Sequence, residues 1–262
     1  MGPAASNALP VLLDVLRSGS NTHGALLALR GLGPAAAATI PELSQAIENR
    51  KPGYPFAIEA LSNIGLPART CLPLLGSLLA DTNPVVRILA TAAVAKVGGL
   101  REKAVQVLVT ELEGTKRSRL ALWSPPVSYA GGLPVGFNPP LAAAWFLGEL
   151  GPDARPAVPA LTKVMRNDQS WLRVLAARAL WRIEGKPDEL VSALTEAVRP
   201  VKGSSDIEQT LATMTLAEMG PPAKAAVPQL EEARVYGGRV LRREAVLALR
   251  RIRGSPGVAP GR

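Results

Sequence analysis

Apolar residues recur at helical spacing in two groups within residues 148–185, and a polar stretch at 167–170 separates the groups. The first group contains Ala157, Val158, Leu161 and Val164, and the second contains Leu172, Leu175, Ala176, Ala179, Leu180 and Ile183. Steps of three and four residues place each group on one face of a helix. The pattern therefore predicts two helices joined by a short turn.

Glycine and proline mark the boundaries of this unit. Gly151-Pro152 predicts a helix end followed at once by a helix start, because glycine tolerates the left-handed turn and proline fits a first helical turn. Pro159 has no N–H and crowds the preceding turn, so the helix is expected to kink or restart there. The pattern of Gly-Pro, six residues and Pro also occurs at Gly2-Pro3/Pro10, Gly33-Pro34/Pro41 and Gly220-Pro221/Pro228.

The second predicted helix recurs along the whole chain when the copies are aligned on their closing glycines. Two aligned positions are apolar in all seven copies: Leu32, Ile64, Val97, Leu150, Ile183, Met219 and Ile252, and three residues earlier Leu29, Leu61, Val94, Leu147, Leu180, Leu216 and Leu249. Self-similarity at this period is typical of a solenoid. We predict one domain, residues 1–254, with repeats at 1–33, 34–65, 66–99, 100–151, 152–185, 186–220 and 221–254, followed by a disordered tail at 255–262.

These repeats resemble bacterial HEAT-repeat proteins of the short type also seen in phycobilin lyase subunits. The resemblance implies an all-α, right-handed solenoid of about seven two-helix repeats that serves as a binding scaffold. It also implies that Asp and Arg residues form a structural ladder between neighbouring repeats. The corresponding residues are Asp81, Arg87, Asp168 and Arg173, and Arg242 occupies the Arg position in the last repeat.

One repeat is interrupted by a long segment, residues 114–140. Ordinary connections between helices span only about 2–8 residues, whereas this one holds five prolines and four glycines. It also carries three aromatic residues (Trp123, Tyr129, Phe137) and three cations (Lys116, Arg117, Arg119). Long loops with such residues are often functional. The segment is expected either to bind a partner or to cover an edge of the solenoid with its aromatic side chains.

A second candidate contact surface lies on the second helices of two adjacent repeats. Trp171, Arg178 and Arg182 are spaced so that they share one helix face, and Trp145 aligns with Arg178 in the preceding repeat. Aromatic and guanidinium groups are enriched at protein interfaces. We predict a concave partner-binding patch of these four residues, with tryptophans that fill the core as the alternative.

The net charge of +9 is concentrated in two places. Segment 114–140 carries an excess of three cations and residues 231–262 an excess of five. A polyanion such as nucleic acid could therefore bind through Lys116, Arg117, Arg119, Arg239, Arg242, Arg243, Arg250 and Arg251. The residue types at the exposed position before the last apolar residue of each second helix argue against a continuous basic stripe. They are mixed: Gly31, Asn63, Lys96, Glu149, Arg182, Glu218 and Arg251. The alternative is that the basic last helix is a solvated cap.

No catalytic, cofactor or metal site is predicted. The chain has one histidine, His23, and one cysteine, Cys71, in different repeats, and it lacks phosphate-loop and zinc-ligand spacings. No apolar run approaches the ~20 residues of a membrane span, so a cytoplasmic location is expected. Because Met1-Gly2-Pro3 matches Met219-Gly220-Pro221, sequence upstream could be missing.

The predicted function is a non-enzymatic scaffold that binds a protein partner through its inner helices and segment 114–140. Polyanion binding through the last repeat is the first alternative. A lyase or chaperone-like role, which only the resemblance implies, is the second.

Overall fold

The computed structural model describes residues 8–19, 21–114, 138–167, 171–199 and 206–254. Within these ranges every regular element is helical, and the helices follow one another in pairs. The fold is therefore an all-α repeat solenoid, as the sequence predicts. Predictions made for most of segment 114–140, for Asp168 and for the tail 255–262 fall outside the described residues.

Each of the seven predicted repeats contains two α-helices within the described ranges. In chain order the pairs are α1 (Leu9–Ser18) with α2 (Thr22–Arg30), α3 (Ile40–Glu48) with α4 (Tyr54–Ile64), α5 (Leu72–Ser77) with α6 (Pro84–Val97), α7 (Arg101–Glu113) with α8 (Pro139–Leu150), α9 (Val158–Asn167) with α10 (Trp171–Glu184), α11 (Asp188–Val198) with α12 (Asp206–Met219), and α13 (Val227–Tyr236) with α14 (Arg239–Ile252).

Four repeats enter their first α-helix through a short 3-10 segment. These segments are Gly33–Thr39, Leu66–Cys71, Gly151–Ala157 and Pro221–Ala226. The α-helix then starts one residue before a proline, so that Pro159 lies in the first turn of α9, where its missing N–H leaves no bond unmade. The restart predicted at Pro159 is therefore confirmed.

Glycines end the preceding second helices in a conformation that other residues avoid. Gly65 has φ 75° and ψ −136°, and Gly220 has φ 67° and ψ −137°. A side chain at these angles would be strained. The two closely matching conformations explain why the repeat ends at glycine.

The chain divides into two compact units, Met1–Ala143 and Ala144–Arg262. Leu26, Ile58 and Leu108 are fully buried in the first unit, and Leu161 and Leu194 are fully buried in the second. The aligned apolar position predicted from sequence is buried in all seven repeats, with no side chain more than 4% exposed: Leu29, Leu61, Val94, Leu147, Leu180, Leu216 and Leu249.

Ion pairs connect neighbouring repeats in the first unit. Arg50 Nη2 lies 2.5 Å from Asp81 Oδ2, and Arg87 Nη2 lies 2.5 Å from Glu111 Oε1. Arg87 also donates to the main-chain oxygens of Asp81 and Thr82, at 2.6 and 3.1 Å. Asp81 and Arg87 thus link repeats through different side-chain partners. Arg87 contacts Asp81 itself through the Asp81 main-chain oxygen.

The second unit has one equivalent link among its described residues. Arg173 Nη2 lies 2.7 Å from Glu196 Oε2. Arg173 corresponds to Arg87, and Glu196, like Glu111, lies near the end of the next repeat's first helix. The second helix of one repeat is therefore tied to the first helix of the next in both units.

Candidate partner-binding surface

Trp145 and Arg178 meet on the second helices of adjacent repeats. The Arg178 guanidinium carbon lies 4.0 Å from the centre of the Trp145 ring, close enough for a cation–π interaction. Trp145 is half-buried on α8, and Arg178 is only 9% exposed on α10. The two residues come together because they occupy the same position of successive repeats.

Two glutamates hold the arginines of this site from both sides. Arg178 lies 3.3 Å from Glu149 Oε1 and 3.3 Å from Glu218 Oε2. Arg182 pairs with Glu149 and, at 2.8 Å, with Glu218 Oε1. Two positive and two negative charges therefore form a network across α8, α10 and α12. Its local charge is balanced, so it offers no net attraction to a polyanion.

Apolar side chains continue the row that Trp145 and Arg178 begin. Met214 on α12 and Leu247 on α14 occupy the same repeat position and are 41% and 42% exposed. We call Trp145, Arg178, Met214 and Leu247 the inner row. Exposed apolar side chains in one row with an aromatic residue are typical of a protein interface.

Three of the four residues predicted for this patch are brought together: Trp145, Arg178 and Arg182. The side chain of the fourth, Trp171, lies outside the described residues. Sequence reasoning missed the partnership of Glu149 and Glu218 with the arginines, and it missed Met214 and Leu247. The signal was present, since Glu149, Arg182 and Glu218 stand in one aligned position, as do the four residues of the inner row.

The residues predicted to bind a polyanion are only partly described. Lys116, Arg117 and Arg119, and the aromatic residues Trp123, Tyr129 and Phe137, lie outside the described residues. The five arginines of α14 are exposed: Arg239, Arg242, Arg243, Arg250 and Arg251. Arg243 lies 2.8 Å from Glu244 on the same helix.

His23 and Cys71 lie in separate environments. The His23 ring packs edge-on against Phe56, with 5.0 Å between ring centres. Cys71 is buried, and its Sγ lies 3.3 Å from Ser44 Oγ. Across the described ranges, no three His, Cys, Asp or Glu side chains are grouped so as to hold a metal ion. No helix in those ranges combines the length and the hydropathy needed to cross a bilayer.

Paired helices in tandem define the class of this protein as a helical repeat solenoid. Neither the known family models nor the curated proteins include a match to the chain. Among solved structures it is similar to an engineered protein, with 20% identity and a TM-score of 0.47 over 82% of this chain and 96% of that one. It is also similar to a designed armadillo repeat protein in complex with the peptide (KR)4, with 18% identity and a TM-score of 0.45 over 81% of this chain and 99% of that one. A further designed armadillo repeat protein shares 18% identity, with a TM-score of 0.44 over 81% and 99% of the two chains.

Proposed function

We propose that this chain is a non-enzymatic scaffold that binds a segment of a protein partner along the inner row. The observation that carries the proposal is the Trp145 ring held against Arg178, in one row of equivalent repeat positions with the exposed side chains of Met214 and Leu247. A ring that is already fixed loses little conformational freedom on binding, which favours affinity.

The charge of the site favours an apolar segment over a strongly charged one. Arg178 and Arg182 are each paired with Glu149 and Glu218, so an incoming anion would compete with bonds already made. An apolar segment that packs on Met214 and Leu247 does not have to displace these ion pairs. The partner segment therefore presents apolar side chains to the inner row and places its polar groups at the Glu149–Arg182–Glu218 network.

The rest of the proposal follows from the sequence. Segment 114–140 contributes further contacts through Trp123, Tyr129 and Phe137, and residues 1–254 form one right-handed solenoid of the HEAT type in the cytoplasm. The lyase or chaperone-like alternative rests on the resemblance alone.

The experiment compares partner capture by matched surface variants of the full chain. The double variant Met214→Glu/Leu247→Glu places charge on the inner row, and deletion of 114–140 removes the insertion. Val11→Glu, which changes a side chain 64% exposed on α1, is the matched control. We expect the control to retain the partners captured by the wild type and the double variant to lose them. Retention by a folded double variant would refute a role for the inner row, and retention by the deletion variant would refute a role for the insertion.

The exposed arginines of α14 favour polyanion binding as a second candidate function. Among the residues that the structure describes, Arg239, Arg242, Arg250 and Arg251 form no ion pair. Binding of a labelled DNA duplex should then fall steeply with salt concentration. It should disappear when Arg242, Arg243, Arg250 and Arg251 are all replaced by Ala. Unchanged binding by that variant would refute the hypothesis of polyanion binding.

A further inference from the structure

One row of each second helix faces the repeat that follows. It consists of three positions four residues apart, which in α6 are Arg87, Thr91 and Ala95. Contacts in both units show which way the row points. In the first unit, Arg87 pairs with Glu111 on α7 and Arg30 pairs with Glu59 on α4. In the second unit, Arg173 pairs with Glu196 on α11. We call these three positions the forward row, and in α14 they are Arg242, Val246 and Arg250.

The forward row is covered in the interior repeats and uncovered in α14. Its middle residue is at most 1% exposed in the six second helices before α14: Leu26, Ile58, Thr91, Ala144, Ala177 and Thr213. In α14 the middle residue Val246 is half-buried, and Arg242 and Arg250 on either side of it are exposed. Thus α14 presents a surface that the other helices bury against a neighbouring repeat.

The interior repeats also show which charge this surface accepts. The first residue of the forward row is an arginine in α6 and α10, and in both cases it pairs with a glutamate on the next repeat's first helix. Arg242 is the equivalent arginine of α14, and no described residue forms an ion pair with it.

Residues of this chain outside the described ranges offer almost no carboxylate. Residues 115–137, 200–205 and 255–262 contain neither Asp nor Glu. These segments therefore supply no side-chain carboxylate for Arg242.

We propose that the forward row of α14 is a docking site for an amphipathic helix of a partner protein. The helix lies against α14 as α7 lies against α6. It places apolar side chains over Val246 and directs a glutamate or aspartate to Arg242. This site is separate from the inner row, so either can fail without the other.

The chain itself supplies a probe for this site. A peptide of residues 101–113 reproduces α7, whose buried side chains are Ala104, Val105, Leu108, Glu111 and Leu112. A helix of this length is marginal in water. The peptide is therefore stapled between positions 102 and 106, which are exposed in the protein. Binding of the labelled peptide to the full chain is measured by fluorescence anisotropy.

Arg242→Ala should weaken binding of the peptide by about tenfold, the effect expected from loss of one charge-assisted hydrogen bond. Glu111→Gln in the peptide should weaken it to the same extent, and the two changes together should have no further effect. Arg251→Ala is the matched control, since it removes the same charge from an exposed position of the same helix outside the forward row. It should change the affinity less than twofold. Circular dichroism verifies that both variants are folded.

Two outcomes would overturn the proposal. One is the absence of binding at peptide concentrations up to about 1 mM, the weak end of measurable affinity. The other is an equal loss in the Arg242→Ala and Arg251→Ala variants, which would show general attraction of a basic helix for negative charge and would favour the polyanion reading instead.

Discussion

The ion pairs Arg87–Glu111 and Arg173–Glu196 occupy equivalent places in the fold but differ in burial. The Glu111 side chain is 9% exposed, whereas that of Glu196 is 63% exposed. Glu111→Gln keeps the size of the side chain but removes the charge facing Arg87 in a nearly dry site. A hydrogen bond to a charged group contributes roughly 1.5–3 kcal/mol, and we expect Glu111→Gln to lower the free energy of unfolding by about 2 kcal/mol. Glu196→Gln should lower it by less than about 0.5 kcal/mol, because solvent already screens that pair.

Urea denaturation followed by circular dichroism measures both changes. Combining each glutamine variant with Arg87→Met or Arg173→Met gives a coupling free energy for each pair, which removes effects unique to one side chain. We expect a coupling of about 2 kcal/mol for the buried pair and less than about 0.5 kcal/mol for the exposed pair. Equal couplings would refute the argument from burial, because that argument predicts the larger coupling for the pair whose carboxylate is less exposed.

Two further predictions concern other contacts between repeats. Burial raises the pKa of Glu59, and its hydrogen bond with Arg30 only partly opposes this, so the folded state holds the proton more tightly than the unfolded state. As pH rises above the ordinary value of 4.5, the wild type should lose stability relative to Glu59→Gln, and a parallel pair of pH–stability curves would contradict this. Gly148→Ala would place a Cβ 3.1 Å from Ala179 Cα and should destabilise by about 1–2 kcal/mol; the control Gly31→Ala, with only a 3.4 Å contact, should be neutral in thermal denaturation.

The helical pairs could be predicted from sequence because glycine and proline mark the boundaries of each repeat. Apolar residues at helical spacing define each core face, and the aligned position of Leu29 and Leu180 is buried throughout. Such signals are local, so they can be recognised in the sequence without knowledge of how the repeats pack on one another.

The side-chain partners could not be predicted, because they depend on that stacking. Arg87 and Glu111 lie 24 residues apart, and Arg173 and Glu196 lie 23 residues apart. Neither separation follows from helical periodicity. Alignment of repeats did place Trp145 beside Arg178, since equal positions of adjacent second helices are neighbours. It could not show that Glu149 and Glu218 would balance the charge of the arginines, which decides what the site attracts.

The glycines at the repeat ends carry a consequence for how such an array changes over generations. Gly33, Gly65, Gly151 and Gly220 all have positive φ, and each begins or directly precedes a 3-10 segment that opens the next repeat. A stretch of coding sequence that runs from one such glycine to the next encodes one complete repeat, which has its own helix end and the same kind of junction to the next repeat. Duplication or loss of one repeat would leave a glycine with positive φ at each remaining junction. Array length can thus drift by whole repeats, while the side chains on the inner row diversify independently.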